Sequence, residues 1–300
     1  MEESLVKIFP KKLLEAMEGR VASAELQEIR IKINKPCIIL NGINEVILDH
    51  ITTKEDVKYI IQRVSNFSIY AYEEDIRQGF ITIRGGHRVG LAGECVMENG
   101  YIKTIRNISS LNIRVCRQII GCSKEVLKYI LKDNEIQNTV IISPPKCGKT
   151  TMLRDIARNF SSMKKKVAII DERSEIANCY LGVPQMDLGI RCDVLDNCLK
   201  SQGMMMAIRS LSPDVIICDE IGTKKDIEAL SLAFNSGVKV IASIHGKSIS
   251  DIYKRSVFKD LIINNILERA IVLSATRGVG TLENVYAISD KEEKTCISLL

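Results

Sequence analysis

The chain has 300 residues, 46% hydrophobic and 26% charged, which excludes disordered, collagenous and low-complexity classes. At roughly 100–200 residues per domain the length suggests two domains, with room for at least one large core. The 42 Lys and Arg outnumber the 37 Asp and Glu only enough for a net charge of +5, and with no Trp and 5% aromatics this argues against a dense base-stacking, nucleic-acid-binding face.

Met1 to Arg20 reads as a charged amphipathic stretch, with Glu2 and Glu3 near its start and neither a signal-peptide apolar region nor a small-residue cleavage site. No apolar run approaches the roughly 18–20 residues that cross a bilayer, so a cytoplasmic location is expected. Leu26 to Ile33 alternates apolar and polar residues as a half-buried strand does. Cys37–Leu40, Asn41-Gly42 and Glu45–Leu48 carry a hairpin signature, and Lys54 to Asn66 has helical spacing with Val57, Ile60, Ile61 and Val64 on one face. Gly79–Arg84, Gly85-Gly86 and His87–Ala92 suggest a second hairpin, Leu111–Val115 a further strand, and Lys124–Leu131 a helix. The expected boundary falls here: an α+β domain over 1–122, then a second domain over 123–300.

The second part changes character. Apolar, β-branched runs at 139–142, 167–170, 215–218 and 238–244 alternate with helical segments at 150–160, 197–211 and 225–235. That is the pattern of a parallel sheet covered on both faces. Ala270–Leu273, the loop Arg277–Gly280 and Leu282–Ile288 suggest a closing hairpin. The ten cysteines are scattered without a C-x-x-C, which favours reduced, mostly buried thiols over a zinc site or a disulfide framework.

The strongest chemical signal is Ser143-Pro144-Pro145-Lys146-Cys147-Gly148-Lys149-Thr150, with Thr151 next, between an expected strand and an expected helix. A loop in that context cradles phosphates with backbone N–H groups and the positive helix end. Lys149 then reaches the β- and γ-phosphates of ATP, and the Thr150 hydroxyl binds Mg²⁺. The motif expects Gly at position 143, where this chain has Ser; Ser suits the site if the backbone there is not left-handed. A second motif, Val215–Cys218 followed by Asp219-Glu220, puts two acids at the sheet edge beside the loop. Asp219 is the second Mg²⁺ candidate and Glu220 the candidate general base. Asp171-Glu172-Arg173 ends another strand and should face the same crevice. His245 ends a third, as a candidate sensor of the γ-phosphate. Arg209, after Met204–Ile208, is a candidate charge clamp on the transferring phosphate, from the same or a neighbouring subunit.

With these residues in place, the chain resembles the stage III sporulation protein AA family, related to the hexameric ATPases of type II and type IV secretion. The resemblance rests on 143–155, 171–177, 189–196, 203–214, 219–222, 244–246 and 277–281, with 28–36 and 83–90 near the N-terminus. It implies a RecA-like P-loop core with a mostly parallel sheet behind a smaller α+β N-terminal domain. Lys149 and Thr150 then fall in a Walker A loop, Asp219 and Glu220 in Walker B, Asp171 to Arg173 in an acidic box and His245 in a histidine box. Ser143 and Lys146 stand where the family usually has Gly, and Ala275-Thr276 where it is more basic. The resemblance also implies a homo-hexamer at the cytoplasmic face of the mother-cell membrane. There it would dock on integral membrane proteins of the stage III sporulation channel complex, touching the membrane through them alone and holding no stable nucleic acid.

Two rivals remain open at this point. RecA-like cores also serve nucleic-acid-dependent ATPases, and Lys164-Lys165-Lys166 is a basic run. A nucleotide-binding scaffold without turnover would fit the Ser143 and Lys146 departures, although it has no chemical need for the Asp219-Glu220 pair.

Overall fold

The computed structural model describes residues 1–21, 25–42, 44–288 and 295–296. They form two compact units, Met1–Arg117 with Asn178–Gln185, and Gln118–Ala177 with Met186–Leu300.

The first unit is built on an antiparallel sheet. Its helices are α1 (Glu3–Val6), α2 (Lys11–Met17), α3 (Lys54–Val64) and α4 (Glu73–Gln78), and its strands β1 (Leu26–Lys32), β2 (Pro36–Asn41), β3 (Asn44–Ile51), β4 (Phe80–Thr82), β5 (Arg88–Glu98) and β6 (Tyr101–Arg114). The sheet order is β3-β2-β1-β6-β5-β4. Alternate residues of β1 and β2, including Ile29, Ile31, Cys37 and Ile39, enter one apolar core with Leu13, Val57 and Ile60 of the helices. The α3 start is fixed by a capping box: Thr53 Oγ1 accepts the Asp56 N–H at 3.1 Å, and the Asp56 carboxylate accepts the Thr53 N–H at 2.9 Å. His87 is fully buried; its Nδ1 accepts the Cys116 N–H at 3.1 Å, so Nε2 carries the proton toward the Glu2 carboxylate at 3.2 Å. Burial pushes its pKa down, against the pull of Glu2.

The expected strand at Leu111–Val115 is the end of a much longer one, and β5 and β6 run on together as a ribbon past their neighbours. Bulges between Ala92 and Glu94 and between Val96 and Met97 shift the register, so Ile102, Ile105 and Ile108 recur every three residues and hide the strand period.

The second unit follows the alternation read from the sequence. After α5 (Lys124–Ile130) and a small hairpin of β7 (Leu131–Lys132) and β8 (Glu135–Ile136) come β9 (Thr139–Ser143), α6 (Lys149–Ser162), β10 (Val167–Asp171), β11 (Cys192–Asp196) and α7 (Lys200–Ser210). Then follow β12 (Val215–Cys218), α8 (Lys224–Asn235), β13 (Lys239–His245), α9 (Ser250–Lys254), α10 (Lys259–Ile263), β14 (Arg269–Ser274), β15 (Thr281–Ala287) and β16 (Thr295–Cys296). The sheet order is β11-β10-β12-β13-β9-β14-β15-β16, parallel from β11 through β14 and antiparallel beyond. The central strands β9, β10 and β12 are buried along their whole length, as the continuous apolar runs require. Strand β11, absent from the sequence reading, is an edge strand of intermediate burial whose Cys-Asp-Val-Leu-Asp run has no long apolar stretch. Gly203 lets α7 approach β10: a Cβ there would lie 2.6 Å from Ile170 Cγ2 and 2.7 Å from Cys198 Sγ.

Asp155 on α6 ties the segment before α5 to the core. It is 1% exposed and accepts the Gly121 N–H at 3.0 Å, the Ser123 N–H at 2.8 Å, the Ser123 hydroxyl at 2.6 Å and the Arg158 guanidinium at 2.9 Å. Burial alone would raise its pKa; the Ser123, Gly121 and Arg158 donors outweigh it and hold the carboxyl below the usual range. A depressed carboxylate pKa gives stability that is full above the unfolded value and lost as pH falls through the folded one. Asp155→Ala should therefore cost about 3–5 kcal/mol near neutral pH, because it strands several buried donors. The loss should shrink as wild type is acidified below its Asp155 pKa. Urea unfolding at neutral and acid pH measures both; an equal loss at the two pH values would contradict the assignment.

Candidate functional site

The phosphate-type loop leaves β9 at Ser143 and enters α6 at Lys149. Ser143 is fully buried in extended backbone, and its hydroxyl donates to the Pro144 carbonyl at 2.9 Å, so Gly is not required there. Position 146 differs: Lys146 has φ 60°, the left-handed region that a glycine would take without strain. Gly148, the N-cap of α6, is also left-handed at φ 85°. These two left-handed positions flank Cys147 and curl the loop into the N-terminus of α6, the setting in which backbone N–H groups can form an anion-binding nest. Gly148 is doubly required, since a Cβ there would approach Val279 Cγ1 to 3.0 Å in the loop between β14 and β15. Lys149, 7% exposed, lies back over the loop and donates to the Ser143 and Pro144 carbonyls, both at 3.4 Å. Thr151 follows on the first turn of α6.

The strand order decides what faces this loop. β13 lies between β9 and β12, and the carboxyl ends of β9, β13, β12 and β10 line one edge. Thr150 Oγ1 donates to Asp219 Oδ2 at 2.7 Å, and the Ser243 hydroxyl on β13 donates to Asp219 Oδ1. Ser243 Oγ also accepts the Glu220 N–H at 3.0 Å. Glu220 has left-handed backbone at φ 47°, and its carboxylate accepts from Arg173 at 3.0 Å. His245 is exposed at the end of β13, register partner of Ser143 in the loop strand.

All three residues of the acidic box, Asp171, Glu172 and Arg173, line one small pocket with Lys200, Asp219 and Glu220, and Glu172 pairs there with Lys200, which is largely buried at the start of α7. Asp171 is spent on the fold: 1% exposed, it accepts the N–H groups of Glu175, Ile176 and Ala177 at 2.8–2.9 Å. Burial pushes its pKa up to about 6, and those N–H groups restrain the rise. Arg154 clamps the same segment by donating to the Ile176 and Glu175 carbonyls at 2.6 and 2.9 Å.

Arg209 is not brought to this edge. Helix α7 starts at the carboxyl edge with Lys200 and runs back toward the amino end of β12, so Arg209 lies about 14 Å along the axis from Lys200, exposed. Two residues missed in the sequence are central here, Ser243 and Lys200. A hydroxyl inside the apolar run of β13 was the available signal for Ser243; nothing local marked Lys200. Near the Ala275-Thr276 departure, the Thr276 hydroxyl donates to Glu283 at 2.5 Å, closing the β14–β15 turn with a neutral donor.

Among the described residues no cluster of three or more His, Cys, Asp or Glu is arranged to hold a metal ion, and no helix is long and apolar enough to cross a membrane.

Lys146→Gly should leave the fold intact and change stability by at most about 1 kcal/mol, since released strain offsets the added unfolded-state entropy. Gly148→Ala should cost about 1–3 kcal/mol from strain and the Val279 contact together. Thermal unfolding of the two variants tests the pair; the reverse order would show that the loop conformation is not the one described.

Residues 2–293 match the family described as sporulation stage III, protein AA. The chain is 48% identical over 267 residues to stage III sporulation protein AA of Bacillus subtilis (strain 168), covering 87% of each chain. Among solved structures it is similar to the Legionella pneumophila ATPase DotB, with a TM-score of 0.61 at 13% identity over 88% of this chain and 76% of that one. It is also similar to the pilus retraction motor PilT with bound ADP, with a TM-score of 0.56 at 16% identity over 87% of this chain and 76% of that one. At such identities the likeness is one of fold, and that fold is RecA-like.

Proposed function

The chain belongs to the sporulation stage III protein AA family, and we propose that it serves there as the ATP-hydrolysing motor of a secretion-like, membrane-associated channel complex used in endospore formation. The observation that carries this reading is the direct bond of Thr150 Oγ1 to Asp219 Oδ2 at 2.7 Å beside a left-handed loop of backbone donors. A helix-end hydroxyl and a strand-end carboxylate offer hard oxygen donors suited to Mg²⁺, next to N–H groups suited to phosphate.

In this reading the 143–151 segment and Lys149 hold the phosphates of ATP, and Thr150 and Asp219 hold Mg²⁺. Mg²⁺ held by those two oxygens would supply charge neutralisation on the phosphate oxygens. Glu220 takes a proton from the attacking water once Arg173 releases its carboxylate. Glu172, anchored by Lys200, supports the charge balance of that pocket, and His245 reports from the end of the strand beside the loop. Arg209, carried to the opposite edge, serves the crevice of a neighbouring copy in a ring, taken as a hexamer. The division of labour assigns the second unit to the ATPase core and the first unit, with its 178–185 segment, to coupling with integral membrane proteins of the channel complex, at the cytoplasmic face of the membrane. A scaffold without turnover is the second reading, favoured by one observation: Glu172 and Glu220 are both held by cations, Lys200 and Arg173.

Glu220→Gln should lower ATP turnover at least about 100-fold while leaving nucleotide binding in place. Mixing Arg209→Ala with Lys149→Ala protein should recover part of the activity each lacks alone, because intact crevices then form between unlike copies. Wild type that binds ATP but never hydrolyses it, in any assembly state, would leave the scaffold. Steep, salt-sensitive stimulation by DNA or RNA would mark a nucleic-acid motor instead.

A further inference from the structure

Two bulky residues of the first unit hold backbone conformations that a Cβ resists. Phe67 has φ 62° and Leu181 φ 51°. Each then leaves its side chain in solvent, Phe67 67% and Leu181 76% exposed. Asn or Gly would satisfy either turn without strain. Strain kept for an exposed apolar side chain brings the fold no burial in return, and such strain gathers at binding surfaces.

Both residues stand on the rim of one open cleft of about 880 Å³ within the first unit, between α1, the end of α3, the turn after Ile83 and the 180–185 segment. Its walls are tied. Asn66 Nδ2 donates to the Tyr72 hydroxyl at 3.1 Å and to the Tyr180 hydroxyl at 2.8 Å. Tyr180 and Val183 exchange backbone hydrogen bonds at 2.9 and 3.0 Å, closing the turn that carries Leu181, and Gln185 Oε1 accepts the Gly85 N–H at 2.9 Å. The cleft is pre-organised, which lowers the ordering cost of binding. Its lining carries an excess of cations: Glu3 is paired with Lys7 at 2.5 Å and lies within reach of Arg84, and Arg63 and Arg84 exceed that acid, with Arg63 lying 5.1 Å from the Phe67 ring centre.

We propose that this cleft docks an acidic, amphipathic segment of a partner protein. Apolar side chains of the segment would cover Phe67, Leu181 and Val183, and its carboxylates would meet Arg63 and Arg84. A free anion would use the cations and leave the apolar rim uncovered. A bilayer would favour a projecting surface over a walled cleft. The inference does not depend on the ATPase reading.

A random peptide library displayed on phage, selected on the full-length protein, tests it. The expected consensus combines acidic with large apolar side chains. A synthetic peptide of that consensus should bind wild type saturably, and Leu181→Asn and Arg84→Glu about tenfold or more weakly. Leu181→Asn should melt no lower than wild type, since Asn accepts left-handed backbone. No enrichment, a consensus without acids, or equal binding to the variants would overturn the proposal. So would a lowered melting temperature in Leu181→Asn, which would make the side chain structural. Sedimentation with phosphatidylglycerol vesicles that depends on the same residues would assign the surface to membrane. Loss of self-association in Leu181→Asn by light scattering would assign it to a second copy.

Discussion

The edge of the second unit depends on how the two oxygens of Asp219 are divided. One accepts from Thr150 on α6, and the other from Ser243 on β13. Those two bonds join the loop after β9, the strand beside it and the strand beyond that into one surface. They are available because β13 lies between β9 and β12, so a hydroxyl from the inserted strand meets the acid at the end of the strand beside it. Ser243 then uses its lone pair on the Glu220 N–H, and this helps hold Glu220 in left-handed backbone with its side chain turned toward Arg173. Removing that hydroxyl, as in Ser243→Ala, would leave the carboxylate short of a partner in a partly buried setting.

Much of this was legible in the sequence where chemistry is local. The loop, the acid pair after a β-branched run, and the alternation of apolar strands with helices all lie within a few residues of their causes. What was not legible is long-range. Ser243 matters because of strand order, and Lys200 because the crossover after β11 begins at the carboxyl edge beside Glu172. The different partners of Asp171 and Glu172 were not legible either: both line the same pocket, but Asp171 is buried and spends its carboxylate on N–H groups of its own loop, while Glu172 pairs with Lys200. In the first unit, bulges hid the long β5–β6 ribbon from a search for period two.

Several left-handed residues with long side chains fall at two places: Lys146 and Glu220 at the crevice, Phe67 and Leu181 at the cleft of the first unit, while Lys164 lies in the turn after α6. Elsewhere many of the left-handed turns use Asn or Gly, as at Asn99-Gly100 and Asp133-Asn134, where the cost is small. The sequence thus shows that it can choose strain-free residues for turns. At the crevice the strain sets side-chain direction: Lys146 adds a cation to the loop before α6, and Glu220 has its carboxylate turned toward Arg173.

Sheet polarity imposes the last constraint. In a parallel αβ layer every helix that leaves the carboxyl edge must run back before the next strand can start. Residues at the beginning of such a helix stay with the crevice, as Lys200 does, and residues at its end are taken to the other side. Arg209 sits at the end of α7, so no small side-chain movement within one chain carries it to Thr150 and Asp219. An arginine on that face can meet a crevice only where another copy presents one, so a role for Arg209 at a phosphate would require neighbouring copies.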